Sequence, residues 1–345
     1  MENLKELQKQ FQKRNFYTTK DSAKVYAYAL FVPIALVFLF CYVVMMIAKN
    51  NGITAGEGEN ILTVLQNNYL WFGIILAMLS PLTMLSIYLI YNKSNRIKQS
   101  SCNISFKKAN VWTALLSCLF GIIMFAGFVC LISGCFGKLY EICGIQESEL
   151  SLPMDNFGWL VLNLIIYAVM PAIVEEMIFR GVVFQGLKEK FSALASILLS
   201  GLLFAIFHGS VTQLVYQFVL GSIMAFVLHR TNNLLYPILI HFFNNTCSIV
   251  MMYLAKREIF VFNPKITWWF VIISILAAAL ALLIGWLIDK YYLKPRQAKE
   301  IEKEGENIQA PALSVGNFPV LLLITAAVAI IMIVLNTVSS INAGG

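Results

Sequence analysis

Two adjacent carboxylates, Glu175 and Glu176, interrupt the apolar run LIIYAVMPAIVEEMIFRGVVF, and none of the other Asp and Glu residues lies inside such a run. Of the 3 His, His208 closes SGLLFAIFH, His241 sits in NLLYPILIHFFNNTCSIV, and His229 lies in the polar turn HRTNN. An ionisable side chain at membrane depth costs about 2.5–3.5 kcal/mol on insertion scales, so it marks a functional site by default. On a helix Glu176 and Arg180 stand four apart, share a face and can pair. Glu175 is rotated by about 100° and points elsewhere. Phe204 and His208 share a face by the same rule, as do His241 and Asn245. Glu175, His208, His241 and Asn245 can therefore line one cavity.

That set suits hydrolysis. A carboxylate in an apolar pocket can act as general base on water. A His beside it can hold that water, and a second His with an Asn can donate hydrogen bonds to the oxyanion of a tetrahedral intermediate. The same side chains suit a metal equally: Glu175, His208 and His241 with an open position make a catalytic zinc pattern, so a divalent metal such as zinc stays open as a cofactor. Glu176 and Arg180 read as a supporting ion pair that lowers the cost of holding both near the membrane boundary. His229 reads as a solvated loop residue, Asn244 as a neighbour of the site or a packing contact, and Phe204 as packing.

The elements that must position these groups follow from composition. The 345 residues are 59% AVILMFWYC and 12% DEKR, against about 45–50% and about 25% in a soluble domain, and mean hydropathy is +0.76. This excludes disorder, collagen and an ordinary cytosolic enzyme. Continuous apolar runs, rather than alternating ten-residue segments, argue against an outer-membrane barrel. The fold class expected is all-α: a polytopic transmembrane helical bundle of about 8–9 spans. Candidate spans are 25–48, 69–92, 111–137, 158–179, 193–208, 211–228, 234–254, 266–289 and 318–338. Only Gly209 and Ser210 separate the short fifth and sixth, which form a tight hairpin or do not fully cross.

Charge sets the orientation. With the N-terminus in the cytoplasm, inside segments hold 20 of the 25 Lys and Arg, as the positive-inside rule requires. The net charge of +7 then reads as topology and attraction to the lipid bilayer, not nucleic-acid binding. The 7 Cys contain no CxxC pair and read as packing residues. The polar N-terminus lacks the early apolar core of a cleavable signal, so retention is expected. The chain divides into a cytoplasmic N-terminal segment 1–24, N-terminal transmembrane helices 25–157, a catalytic core 158–254, a further helix 255–289, a polar cytoplasmic linker 290–317, and a final helix and tail 318–345.

The motifs have a known counterpart. Glu175-Glu176-Met-Ile-Phe-Arg180 reads EExxxR, Phe204-Ala-Ile-Phe-His208 reads FxxxH, and His241-Phe-Phe-Asn-Asn245 reads HxxxN. In this order, on successive apolar segments across roughly 155–255, they resemble the CPBP family of CAAX prenyl protease type II and bacteriocin-processing (Abi) intramembrane proteases. The resemblance implies an intramembrane endopeptidase of the cell membrane with an eight-helix-type core, acting on a hydrophobic or membrane-associated peptide. Glu175 would activate water, His208 would position it, His241 and Asn245 would form the oxyanion side, and Glu176 and Arg180 would support the site. Family members are described both as metalloproteases and as glutamate-activated, metal-independent enzymes. The alternative functional readings are a non-catalytic bacteriocin-immunity or membrane scaffold protein, and an ion-coupled transporter using the same groups as a proton relay. The chain lacks the repeated halves common in transporters.

Depth is the strain in this scheme. At about 1.5 Å per residue, His208 lies about 22 Å from the inner end of its span, His241 about 10 Å from its own, and Glu175 nearer still. Convergence requires tilted or re-entrant helices, or boundaries different from these.

Overall fold

A computed structural model of the chain describes residues 17–53, 61–95, 97, 110–126, 153–259 and 276. Among the described residues every regular element is helical. Helix α1 runs Thr19–Asn50, α2 Ile61–Asn68, α3 Leu70–Ser94 and α4 Val111–Met124. Helix α5 is continuous over Phe157–Leu187, with π-helical turns at Ile165–Val169 and Phe179–Phe184. Helices α6 (Ala193–Phe207), α7 (Val211–Thr231) and α8 (Leu235–Lys256) complete the bundle.

Local chemistry sets the helix ends. Thr18 accepts from the Asp21 amide while Asp21 reaches back to the Thr18 amide, a capping box that starts α1. Asn110, Asn156 and Ser192 cap α4, α5 and α6 through their side-chain oxygens. Asn232, with φ +48°, ends α7 in the left-handed region. At Gly209, φ +66° allows the chain to turn at once from α6 into α7, a backbone conformation that a side chain would strain. These two helices pack along each other as a tight hairpin; α4 also packs against α8, and α1 against α3.

Helices α1, α3, α5, α7 and α8 are each long and apolar enough to cross a membrane, whereas α4 and α6 are shorter. Large apolar side chains face outward: Phe38, Leu39, Tyr42 and Ile47 on α1, Ile90 on α3, Val111 and Trp112 on α4, and Leu194 on α6. So much exposed apolar surface on a helical bundle is stable against lipid and not against water. The protein is a multi-pass helical membrane bundle. The described residues contain seven of the nine expected segments. The part of the third beyond residue 126, and the segments 266–289 and 318–338 apart from residue 276, lie outside them, so the count of 8–9 is neither met nor refuted.

Helix α5 is the centre of the packing. Ile178, Phe179, Val182, Val183 and Phe184 are all buried, so its second half is enclosed by neighbours on every side. Phe179 meets Tyr26 of α1 and Phe204 of α6 edge-on. The first turn of α1 is tied to the end of α5: the Thr19 amide donates to Glu189 Oε2 at 2.7 Å, and Ser22 Oγ donates to the Val183 carbonyl at 2.9 Å.

The expected fourth span, 158–179, is too short. Helix α5 continues to Leu187, which sets Glu175 about 18 Å inside its end by helical rise. This removes the conflict for Glu175, whereas His241 still lies about 9 Å from the start of α8. Longer α1 and α7 shift other boundaries less, and the short α2 between the first two spans was not expected.

Candidate functional site

Helices α5, α6 and α8 bring the predicted polar residues together. Glu175 Oε2 lies 3.8 Å from His208 Nε2 and 3.9 Å from His241 Nε2. These separations exceed a direct hydrogen bond, and Oε2 has no hydrogen-bond partner among the described residues. The Glu175 and His208 side chains keep 15% and 18% exposure, while Oε2 itself is buried.

Each imidazole is oriented from behind. His208 Nδ1–H donates to the Phe204 carbonyl at 2.8 Å, the carbonyl four residues back on α6. His241 Nδ1–H donates to Glu176 Oε1 at 3.0 Å. Because both Nδ1 atoms are donors, both Nε2 atoms turn toward Glu175. In neutral rings each Nε2 is an acceptor, so three acceptors face one small space. A water placed about 2.8 Å from Glu175 Oε2 and from one Nε2 fits between them by ordinary hydrogen-bond lengths.

Glu176 and Arg180 lie underneath, both fully buried, with Arg180 Nη1 2.8 Å from Glu176 Oε1. Arg180 Nη2 donates to the Gly221 carbonyl of α7 at 3.0 Å, and the guanidinium sits 4.2 Å over the Phe204 ring. The same Glu176 oxygen therefore receives Arg180 and His241, joining α5 to α8, while the guanidinium carries the link on to α7. Phe204, expected as packing, also stacks edge-on against His208 and His241 at 4.6 and 5.8 Å. Gly221 has a steric reason: a Cβ there would lie 3.0 Å from Phe204 and 3.2 Å from Arg180 Nη2.

Asn245 is one turn beyond His241 on α8. Its Nδ2 donates to the Tyr167 carbonyl at 3.2 Å, and Nδ2 of Asn244 donates to its Oδ1 at 3.3 Å. Pro171 explains the first contact. In an unbroken α-helix the amide of residue 171 would bond the carbonyl of Tyr167, but proline has no N–H and crowds that carbonyl. The π turn at Ile165–Val169 relieves the crowding, and the freed carbonyl anchors the carboxamide. The second N–H of Asn245 has no acceptor among the contacts described. Asn244 reaches Tyr216 of α7 at 3.4 Å, which makes it a neighbour of the site. His229 lies at the far end of α7, in its last turn.

Glu175, His208 and His241 are the donors that zinc would take. A tetrahedral ion at about 2.0–2.2 Å from its ligands holds them about 3.3–3.4 Å from one another, closer than the 3.8 and 3.9 Å seen here. Among the described residues no group of three or more His, Cys, Asp or Glu is arranged to hold a metal ion. As placed, the donors stand a few tenths of an ångström wider than a bound ion would hold them.

Three residues were not anticipated from the sequence. Tyr167 and Pro171 act through the backbone, which residue type does not reveal. Asn163 could have been noticed, because it is an amide within an apolar run; it is fully buried on α5.

Residues 157–247 match the family described as Type II CAAX prenyl endopeptidase Rce1-like, a stretch that contains every residue of the site. The chain is also 33% identical over 114 residues to a Bacillus subtilis (strain 168) protein named "Putative membrane peptidase YdiL", covering 32% of this chain and 47% of that one. The chain thus spans about half the length of the curated relative it matches. No solved structure matches it. The segment that matches this family is the one that bears the site, set in a helical membrane protein.

Proposed function

We propose that this protein is an intramembrane endopeptidase that hydrolyses a peptide bond in a hydrophobic or membrane-associated peptide, using water activated by Glu175. One observation carries the reading. Glu175 Oε2 is unpartnered among the described residues and stands between two imidazole Nε2 atoms whose Nδ1 atoms are both committed elsewhere.

Glu175 takes a proton from the water as oxygen attacks the scissile carbonyl. His208 Nε2 accepts the other hydrogen of that water and fixes its position. Charge develops on the carbonyl oxygen, where the free N–H of Asn245 donates to it, with His241 one turn away on the same side. Glu175 then passes its proton to the departing amine. The buried Glu176–Arg180 pair keeps the His241 ring from rotating away. The N-terminus is cytoplasmic by the charge distribution, and the bilayer concentrates apolar substrates around the bundle.

The test compares native membrane and secreted peptides from a strain lacking the gene, complemented with wild type or with Glu175→Gln. The expected result is a trimmed peptide formed only with wild type, with both proteins inserted equally. If both versions restore the same phenotype with identical peptides, Glu175 is not a base and a scaffold or immunity role replaces this one.

A further inference from the structure

Beyond the Glu175 cluster a cavity of about 220 Å³ opens between the first half of α5 and the second half of α8. Met154, Tyr167, Ile249 and Met252 give it apolar walls, and Asn163 and Asn245 add polar groups. Sites for whole small molecules measure about 300–1,000 Å³, so this one is sized for a single large side chain. Asn245 belongs both to the cavity and to the turn after His241, so the cavity adjoins the site through that residue. The buried Asn163 spends Nδ2 on the Pro153 and Trp159 carbonyls at 3.1 and 2.8 Å, leaving Oδ1 without a partner among the described residues. A buried acceptor left open is costly, and a peptide N–H would satisfy it.

We propose that this cavity is a specificity subsite that takes one large apolar side chain of the substrate peptide, with Asn163 Oδ1 accepting a backbone N–H beside it. The inference rests on the endopeptidase reading. Along α8 the cavity extends from about 6 Å beyond His241, at Asn245, to about 16 Å, at Met252. An extended peptide advances about 3.3 Å per residue, so the side chain belongs about two to five residues from the scissile bond, always on the same side.

The experiment digests a proteome-derived peptide library with the purified full-length protein in detergent micelles and sequences the cut peptides. Wild type is expected to enrich Leu, Ile, Met or Phe at one fixed position in that range. Met252 is partly exposed, so substitutions there are tolerated. Met252→Trp, which fills the cavity, should shift that position at least about fivefold toward Gly, Ala and Ser, while Met252→Ala should favour larger residues. With a cleaved peptide from the same library, Asn163→Ala should raise KM about tenfold, the loss of one hydrogen bond, at unchanged kcat. An unchanged preference in both Met252 variants, with cleavage still abolished by Glu175→Gln, overturns the subsite and leaves the endopeptidase reading standing; the cavity would then hold a lipid chain. No Glu175-dependent cleavage by wild type removes both.

Discussion

Replacing Pro171 with alanine should make this protein more stable and less active at once. Proline inside a helix costs about 3 kcal/mol relative to alanine. Part of that cost is already relieved by the π turn just before it, so the recoverable share is smaller. In Pro171→Ala the new residue supplies the missing amide, which takes the Tyr167 carbonyl now held by Asn245 at 3.2 Å. Losing that hydrogen bond costs about 0.5–1.5 kcal/mol, leaving an expected net gain of about 1–2 kcal/mol. The released carboxamide no longer presents its N–H to the oxyanion, and about 1.4 kcal/mol of lost transition-state stabilisation is a tenfold fall in rate. Stability is read from SDS-induced unfolding in mixed micelles by tryptophan fluorescence. The new amide is read by hydrogen exchange, where it should be protected, and activity by the Glu175-dependent cleavage. A variant that gains stability, protects the amide and still cleaves at the wild-type rate would sink the claim that Tyr167 positions Asn245.

Other perturbations probe the rest of the site. Arg180→Met leaves the buried Glu176 carboxylate unpaired and should cost about 3–5 kcal/mol; adding Glu176→Leu should restore most of the unfolding midpoint but not cleavage, because His241 loses its anchor. A Cβ at Gly121 would lie 2.6 Å from the Ile240 carbonyl, so Gly121→Ala should part α4 from α8 and cost about 1–3 kcal/mol, with cleavage falling alongside; Gly52→Ala, where no atom lies near but φ is +75°, strains the backbone without crowding and should leave cleavage unchanged. Exhaustive dialysis against EDTA should leave cleavage unchanged, and loss of activity restored by zinc would refute the metal-free geometry.

Much of the site was legible because an apolar chain displays its polar residues openly. Glu175, His208 and His241 stand out by type and depth, and they meet. The Glu176–Arg180 pair follows from the four-residue spacing and exists at 2.8 Å. The end of α5 was misplaced because Arg180 looks like a boundary charge. Its Gly221 and Phe204 partners lie on helices remote in sequence, and together with Glu176 they let a cation stay fully buried mid-helix. The reach of Asn245 was equally hidden, since it depends on a carbonyl freed by a proline elsewhere. Side-chain types along one helix could be read locally; which backbone atoms remain available could not.

The π turns in α5 can also be seen as a matter of chain length. Each behaves as one residue inserted into an α-helix, advancing everything beyond it by about 100° around the axis. Glu175 and Glu176 lie between two such insertions, so their direction is set independently of both ends of the helix. Deleting a single residue within Phe179–Phe184 would restore an ordinary helix there. It would also rotate the pair away from its imidazoles, or else Gly186 away from the start of α1, where a Cβ would collide with Ser22 and Thr18. A one-residue change in length at this point would therefore be felt as a rotation of the whole site.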